Sequence, residues 1–346
     1  MRVLVLSEYS NWIASARARI YAYIPSLVGD GHTVTVVPVH RRLDTGGTLG
    51  DHVARRVTPP VILALLPFFD VFVVHRFIPA WPACARLFQR CAKRFVFDFD
   101  ESLHVDHLGR PVSAKTTARF NAMLAAADAV IVSNEHLRAY AAEHARDVAV
   151  IPTTVNVHDY PVKTHAAHSP IVIGWIGSGG AQQYLEMLES VFTKLHARYD
   201  NGVVLQVVTS PSYRVRLETP LAVRHVDWEL SRELAFFDDF DVGIMPLRDN
   251  ERSRGKASYK ALQYMAAGIP VVASPVGMNR DVVEQGVTGY LPADETEWFE
   301  RLCALVDNGD QRRAMGARGR RFVTERFASQ TWYPRFRAVL EGAAAA

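Results

Sequence analysis

At 346 residues the chain exceeds what one ordinary hydrophobic core organises, and it fits about two domains. Apolar residues at 49% and charged residues at 22% exclude long disorder and fibrous repeats, and a net charge of +3 is too mild for nucleic-acid binding by bulk electrostatics. Three cysteines, Cys84, Cys91 and Cys303, lack CxxC spacing and cannot build a disulfide framework, which favours a reduced, cytoplasmic setting.

Met1–Leu6 reads as a β-strand, since its apolar run is too short for a signal peptide and lacks a small-residue cleavage site. A helical stretch at Ala16–Gly29 follows, then strands at Thr33–Val39, Asp70–Val74, Phe95–Phe97 and Ala129–Val132, with helices near Ala80–Cys91 and Ala114–Ala127. The most apolar stretch, Val61 to Val74, is broken by Pro67 and Asp70 and falls short of a membrane span. Continuous apolar strands between helices imply parallel strands covered on both faces. After a short strand at Val148–Ile151, Pro152, Pro161 and Pro170 punctuate a polar linker. The alternation restarts with strands at Ile171–Trp175, Val203–Val208, Val223–Val226, Asp241–Met245 and Pro270–Ala273. Helices are expected at Gln182–Tyr199, Ser231–Phe237 and Ser258–Ala267, and three more close the chain at Glu295–Asn308, Gln311–Phe327 and Gln330–Glu341 before a fraying alanine tail.

No GxGxxG follows a strand, which argues against a nicotinamide dehydrogenase, and no Gly-Lys-Ser/Thr marks a P-loop. The one glycine-rich strand-to-helix turn holds Gly177, Ser178 and Gly179, where small residues let a phosphate approach the backbone; a tight turn without a ligand fits equally. A stronger feature runs from Arg254 to Ser274: a basic loop, a helix opened by small residues, a glycine stop and a buried strand. Lys256, Ala257, Ser258, Tyr259 and Lys260 at a helix N-terminus suit a diphosphate, because dipole, N–H groups, hydroxyl and ammonium converge there. Gln263, a turn further on, is in reach of a ribose hydroxyl, although Lys256 and Lys260 also fit a solvated i,i+4 face.

In the first half, Asp98, Asp100 and Glu101 crowd the end of a strand, with His104 close behind. Unpaired buried charges are costly, so these carboxylates are expected in a site. Carboxylates so placed suit general acid or base work, or Asp98 would cap the next turn. Ser15, Arg17 and Arg19 follow the first strand, and His75-Arg76 ends another. His32, His40 and His52 have no metal-ligand spacing, and Cys84 and Cys91 read as core thiols.

The segment from Asp241 to Pro292, including GKASYKALQYMAAGIPVVASPVG, resembles the donor-binding region of GT-B glycosyltransferases of family 4, the "group 1" retaining enzymes. Those show a Glu-x7-Glu pattern running into E-A-M-A-x-G-x-P-V-V-A, then a glycine and G-x-x-G-x-L; Gly268, Pro270, Gly277, Gly286 and Gly289 keep it in order. The likeness extends loosely to the whole chain. It departs at the glutamates: Gly255 stands where the first falls and Gln263 where the second falls. The family's phosphate-binding Arg and Lys pair after the first strand of this domain is also missing, which raises the weight on Lys256 and Lys260.

The resemblance implies an α/β chain of GT-B type, with two Rossmann-like doubly wound parallel-sheet domains facing a central cleft that closes to exclude water. The expected domains are residues 1–160 on the acceptor side, 161–328 for the nucleotide sugar, and a helix at 329–346, carrying Trp332 and Tyr333, that crosses back to the first. The reading is a retaining, metal-independent hexosyl transfer from a nucleotide diphosphate sugar, its co-substrate, with no further cofactor. Asp100, Glu101 and Lys256 are the catalytic candidates; Ser15, Arg17, Asp98 and His104 lie on the acceptor side. An Asp-x-Asp metal site is set aside because it belongs to the other glycosyltransferase fold. A sugar-nucleotide epimerase of the same fold and a silent nucleotide-binding protein are the alternatives. No nucleic acid is expected as partner. A net charge of +4 in residues 1–165 against −1 in the rest permits loose contact with an anionic membrane.

Overall fold

In the computed structural model the residues described are 1–40, 49–178 and 181–343, with only the backbone of 49–52. Two compact units result: Met1–Thr154 with Gly255–Ala257 and Ser329 onward, and Val155–Arg254 with Ser258–Ala328. The first boundary lies at Thr154, before residue 160, and the three-residue loop at 255 belongs to the first unit.

The first unit holds a six-stranded parallel sheet of β1 (Arg2–Tyr9), β2 (Thr33–His40), β3 (Val71–His75), β4 (Phe95–Phe99), β5 (Ala129–Val132) and β6 (Val148–Val150), in the order β2-β1-β3-β4-β5-β6. Side chains alternate between its faces. Leu4, Leu6, Phe72, Val74, Phe95 and Phe97 enter one core, and Val3, Val5, Val71, Val73 and Val96 enter the other. That is why these strands read as unbroken apolar runs. The final helix, Ser329–Glu341, covers the second face: Phe336 stacks on Tyr23 at 4.3 Å, and Trp332 and Tyr333 pack at its edge.

The second unit repeats the architecture with β7 (Ile171–Ile176), β8 (Val203–Thr209), β9 (Val223–Asp227), β10 (Val242–Met245), β11 (Val271–Ala273) and β12 (Gly289–Tyr290), in the order β12-β11-β10-β7-β8-β9, all pairs parallel. In each sheet the strand order reverses once, between β1 and β3 and between β7 and β10. Such switch points open a crevice at the carboxyl ends of the strands, where ligands bind in open α/β sheets.

Several helices differ from the sequence reading. Ala16–Gly29 divides into Ala14–Arg19, a 3₁₀ turn at Tyr21–Tyr23 and Ile24–Gly29, where Pro25 can open a helix but not continue one. Gln182–Tyr199 is two helices, Gln182–Glu186 and Glu189–Tyr199. The helix Leu49–Leu65 went unread because Pro59 and Pro60 interrupt its pattern. Cys84 is a core thiol as read, but Cys91, at the end of helix Cys84–Cys91, is exposed. Gly179 and the last three alanines lie outside the described residues.

Candidate active site

In the first unit, polar side chains gather at the carboxyl ends of β1, β3, β4 and β5 in two layers. The lower layer is sealed from water. Asp98 is fully buried and accepts a forked pair of bonds from Arg19, at 3.2 Å from Nε to Oδ1 and 2.5 Å from Nη2 to Oδ2, while Arg19 Nη1 donates to the carbonyl of Ile151. Burial opposes the charge on Arg19, but the attraction and hydrogen bond of Asp98 outweigh it and hold the guanidinium above its ordinary pKa. Arg19 lies one turn beyond Ser15 on the same helix face, so a single helix delivers both. Ser15 Oγ lies 3.1 Å from His75 Nε2, and Ser7 Oγ lies 3.1 Å from His75 Nδ1. Ser7 gives its one proton to the Tyr9 carbonyl at 2.6 Å, so it accepts from His75 Nδ1–H, and Ser15 donates to Nε2.

Burial pushes His75 down to about 3, with Asp100 pulling the other way. Its imidazole is therefore neutral in the folded chain near neutral pH. Below about pH 6.5 the unfolded chain takes up a proton that the folded chain refuses, so stability falls as the pH drops from there toward 3. Urea unfolding at pH 7 and pH 5 is expected to show this loss, and His75→Asn to flatten it by up to about one proton.

The upper layer centres on Arg76, which follows β3 with a left-handed φ of 61°. Its guanidinium lies 3.2 Å from Asp100, 3.4 Å from Glu101 and 3.7 Å from Glu8, and Arg55 clasps Glu8 at 2.7 Å. Burial opposes the Arg76 charge, but Glu101, Asp100 and Glu8 together raise its pKa above the ordinary value. A non-glycine residue in that backbone region is strained, and three carboxylates hold it there. Both orienting arginines, Arg19 and Arg76, ranked low in the sequence because a lone arginine on a helix or strand end is usually solvated.

The structure thus brings Ser15, Asp98, Asp100 and Glu101 together, and corrects the expectation for Asp98. Asp98 faces the interior rather than an acceptor, and holds Arg19 beneath the site. Arg17, half-buried, donates to the carbonyl of Asn11 at 2.9 Å. His104 stacks on Tyr140 with ring centroids 4.0 Å apart, in an aromatic group with Phe120.

Asn134, the cap of helix Glu135–Ala142, donates to the carbonyls of Gly255 and Lys256 at 3.2 and 3.3 Å. This ties the loop Gly255–Ala257 to the first unit. Lys256 is half-buried, and its ammonium makes no hydrogen bond or ion pair among the described residues.

In the second unit the helix Tyr259–Ala266 has no acidic residue in its first turn, leaving its positive end unneutralised by its own side chains. Ser258 caps it with a left-handed φ of 51° and is fully buried. Its hydroxyl donates to Asn279 Oδ1 at 2.6 Å; Asn279 in turn donates to the Ser274 carbonyl, and Ser274 Oγ accepts from Leu247 N–H. That hydroxyl shapes the loop and is not open to a diphosphate, a further correction. Gly177 and exposed Ser178 follow β7, and Lys260 lies over the Trp175 ring at 5.7 Å. Gln263 is buried, donating to Tyr160 Oη at 3.1 Å and Glu233 Oε1 at 3.3 Å, so its amide is committed inside the unit rather than offered to a ribose.

Residues 170–308 match the family described as Glycosyl transferases group 1. A 69-residue segment is 33% identical to spore coat protein SA of Bacillus subtilis (strain 168), a match covering 19% of this chain and 18% of that protein's length. Among solved structures, sucrose-phosphate synthase of Thermosynechococcus elongatus superposes with a TM-score of 0.72 at 16% identity over 99% of both chains. Anabaena HepE in complex with UDP superposes with a TM-score of 0.67 at 15% identity, over 99% of this chain and 100% of that one. Residues 170–308 thus match group 1 glycosyl transferases, and the chain has the fold of the GT-B structures on which it superposes.

Proposed function

We propose that the chain is a retaining, metal-independent glycosyltransferase that moves a hexosyl group from a nucleotide diphosphate sugar to an acceptor hydroxyl. The observation that carries this is Lys256, a half-buried ammonium without a partner among the described residues, two positions before the cap of a helix whose positive end is unneutralised. A half-buried cation without a counter-ion favours binding one, and a diphosphate supplies it. As the sugar leaves, Lys256 and the first-turn N–H groups stabilise the negative charge growing on the departing diphosphate. Lys260 and the turn at Gly177 and Ser178 complete the donor side.

On the acceptor side, Asp100 or Glu101 orients the attacking hydroxyl and receives its proton. Metal independence is supported by the way Glu8, Asp98, Asp100 and Glu101 are each already engaged by a guanidinium. Three free cysteines support a reducing, cytoplasmic location. Among the described residues no helix is long and apolar enough to cross a membrane.

Calorimetry with UDP, GDP and dTDP tests the donor side. One nucleotide is expected to bind, and Lys256→Ala to weaken it roughly ten- to hundredfold. Unchanged affinity would sink the assignment. Incubation with the matching nucleotide sugars separates the alternatives: slow donor hydrolysis supports the transferase, interconversion of sugars an epimerase, and binding without turnover a silent protein.

A further inference from the structure

The helix Leu49–Leu65 is apolar on both sides. Ile62 and Leu66 face the core, as a surface helix requires. The opposite face, which ordinarily carries charge, presents Val53, Val57 and Val61, each more than half exposed and four residues apart. Pro60 and Ala64 are exposed on the same arc, and the chain continues into exposed Pro67 and Phe68, the latter 63% exposed. At 1.5 Å per residue this makes a stripe of about 25 Å. The neighbouring helix Cys84–Cys91 packs beside it on the same core and adds exposed Leu87, with Trp81 exposed just before it. Arg56, next to Val57 in sequence, and Arg86 and Arg90 on the neighbouring helix are exposed and form no ion pair among the described residues. From residue 53 to residue 94 the chain carries a single carboxylate, Asp70, already shared by Arg2 and Lys93.

An exposed apolar stripe of this length on one chain calls for a covering surface. We propose that this face docks on the surface of an anionic lipid bilayer, with the helix lying flat, its valines and Phe68 in the acyl boundary and the arginines on lipid phosphates. Charge selects this occupant over a second copy of the chain, because a two-fold pairing would bring the same arginines face to face. Aromatic Trp81 at the rim suits the headgroup level, where an indole keeps one end wet. The proposal is independent of glycosyl transfer, and its test uses no substrate.

The full chain is sedimented with vesicles of phosphatidylcholine containing about 30% phosphatidylglycerol, and with phosphatidylcholine alone. The wild type is expected to pellet with the anionic vesicles, at least roughly tenfold more strongly than with neutral ones. Val57→Asp with Val61→Asp is expected to lower that binding at least roughly tenfold at unchanged Tm, since both positions are solvent-facing. Arg56→Glu with Arg90→Glu removes the preference for anionic lipid without touching the stripe, which keeps the test open should the first variant misfold. Wild type left in the supernatant, or valine variants that pellet like wild type, overturns the proposal. So does light scattering that finds a dimer which the valine variants split into monomers, since the stripe is then a self-association face.

Discussion

Gly255→Glu is expected to disable the protein rather than restore the glutamate that group 1 enzymes carry there. A Cβ at Gly255 would lie 2.2 Å from Ser102 Oγ, 2.9 Å from the Ser102 backbone nitrogen and 3.1 Å from Leu137 Cδ2. Ser102 is fully buried and Leu137 sits in the first turn of a capped helix, so neither neighbour yields cheaply. Even Gly255→Ala is overpacked and should cost about 1–3 kcal/mol. Glutamate adds a carboxylate to a buried position, and the loop must leave Asn134 to expose it. Lys256 moves with that loop. The expected result is a Tm below that of Gly255→Ala and nucleotide affinity reduced as far as in Lys256→Ala. A Gly255→Glu protein with wild-type Tm and tighter nucleotide binding would show that the loop does not rest against Ser102. The departure from the family pattern is thus a consequence of packing: the loop is close enough to the first sheet that only glycine fits.

Removing Arg19 is expected to give the second large effect. Arg19→Met leaves Asp98 buried beside His75, whose burial-depressed imidazole cannot replace the lost charge. Breaking one side of a buried pair typically costs about 3–5 kcal/mol, here a fall in Tm of roughly 10 °C. Burial already holds the Asp98 carboxyl above its ordinary pKa against the pull of Arg19, and losing Arg19 raises it further. A carboxyl with a raised folded pKa stabilises the fold increasingly as pH falls, so the deficit should shrink between neutral pH and about 4. The double variant Arg19→Met with Asp98→Leu removes both charges and should recover most of the loss. Equal Tm values for the single and double variants, or a deficit that grows toward pH 4, would contradict the buried pair. Because Ser15 and Arg19 share a helix, loosening it also frees His75 on one side, so acceptor-side kinetics should suffer more than nucleotide binding.

The two arginines show how far sequence carried and where it stopped. Carboxylates in a run after a β-strand are conspicuous, since their charge makes them improbable core, and Asp100 and Glu101 were legible for that reason. Which of the three would be buried was not, because the answer depends on a guanidinium 79 positions away in sequence. Ser258 and Gln263 illustrate the same limit from the other side. Their residue types suit a ligand, but Asn279 and the pair Tyr160 and Glu233 claim them first. The exposed face of Leu49–Leu65 escaped notice because apolar residues on both sides of a helix look, in one dimension, like a core run broken by proline.

What the sequence determined by itself is the alternation of buried strands and helices, the two-part division, and the likeness of its second half to group 1 glycosyl transferases. These are local or periodic properties, written by apolar spacing and by glycine and proline at turns. The tertiary structure alone decided which polar groups are partners and which are left over. Pairing of buried charges depends on strand order, and strand order brings the ends of β1, β3 and β4 side by side though they lie far apart in the chain. Desolvation makes a buried pairing such as Asp98 with Arg19 obligatory, while the half-buried Lys256 ammonium has no partner among the described residues.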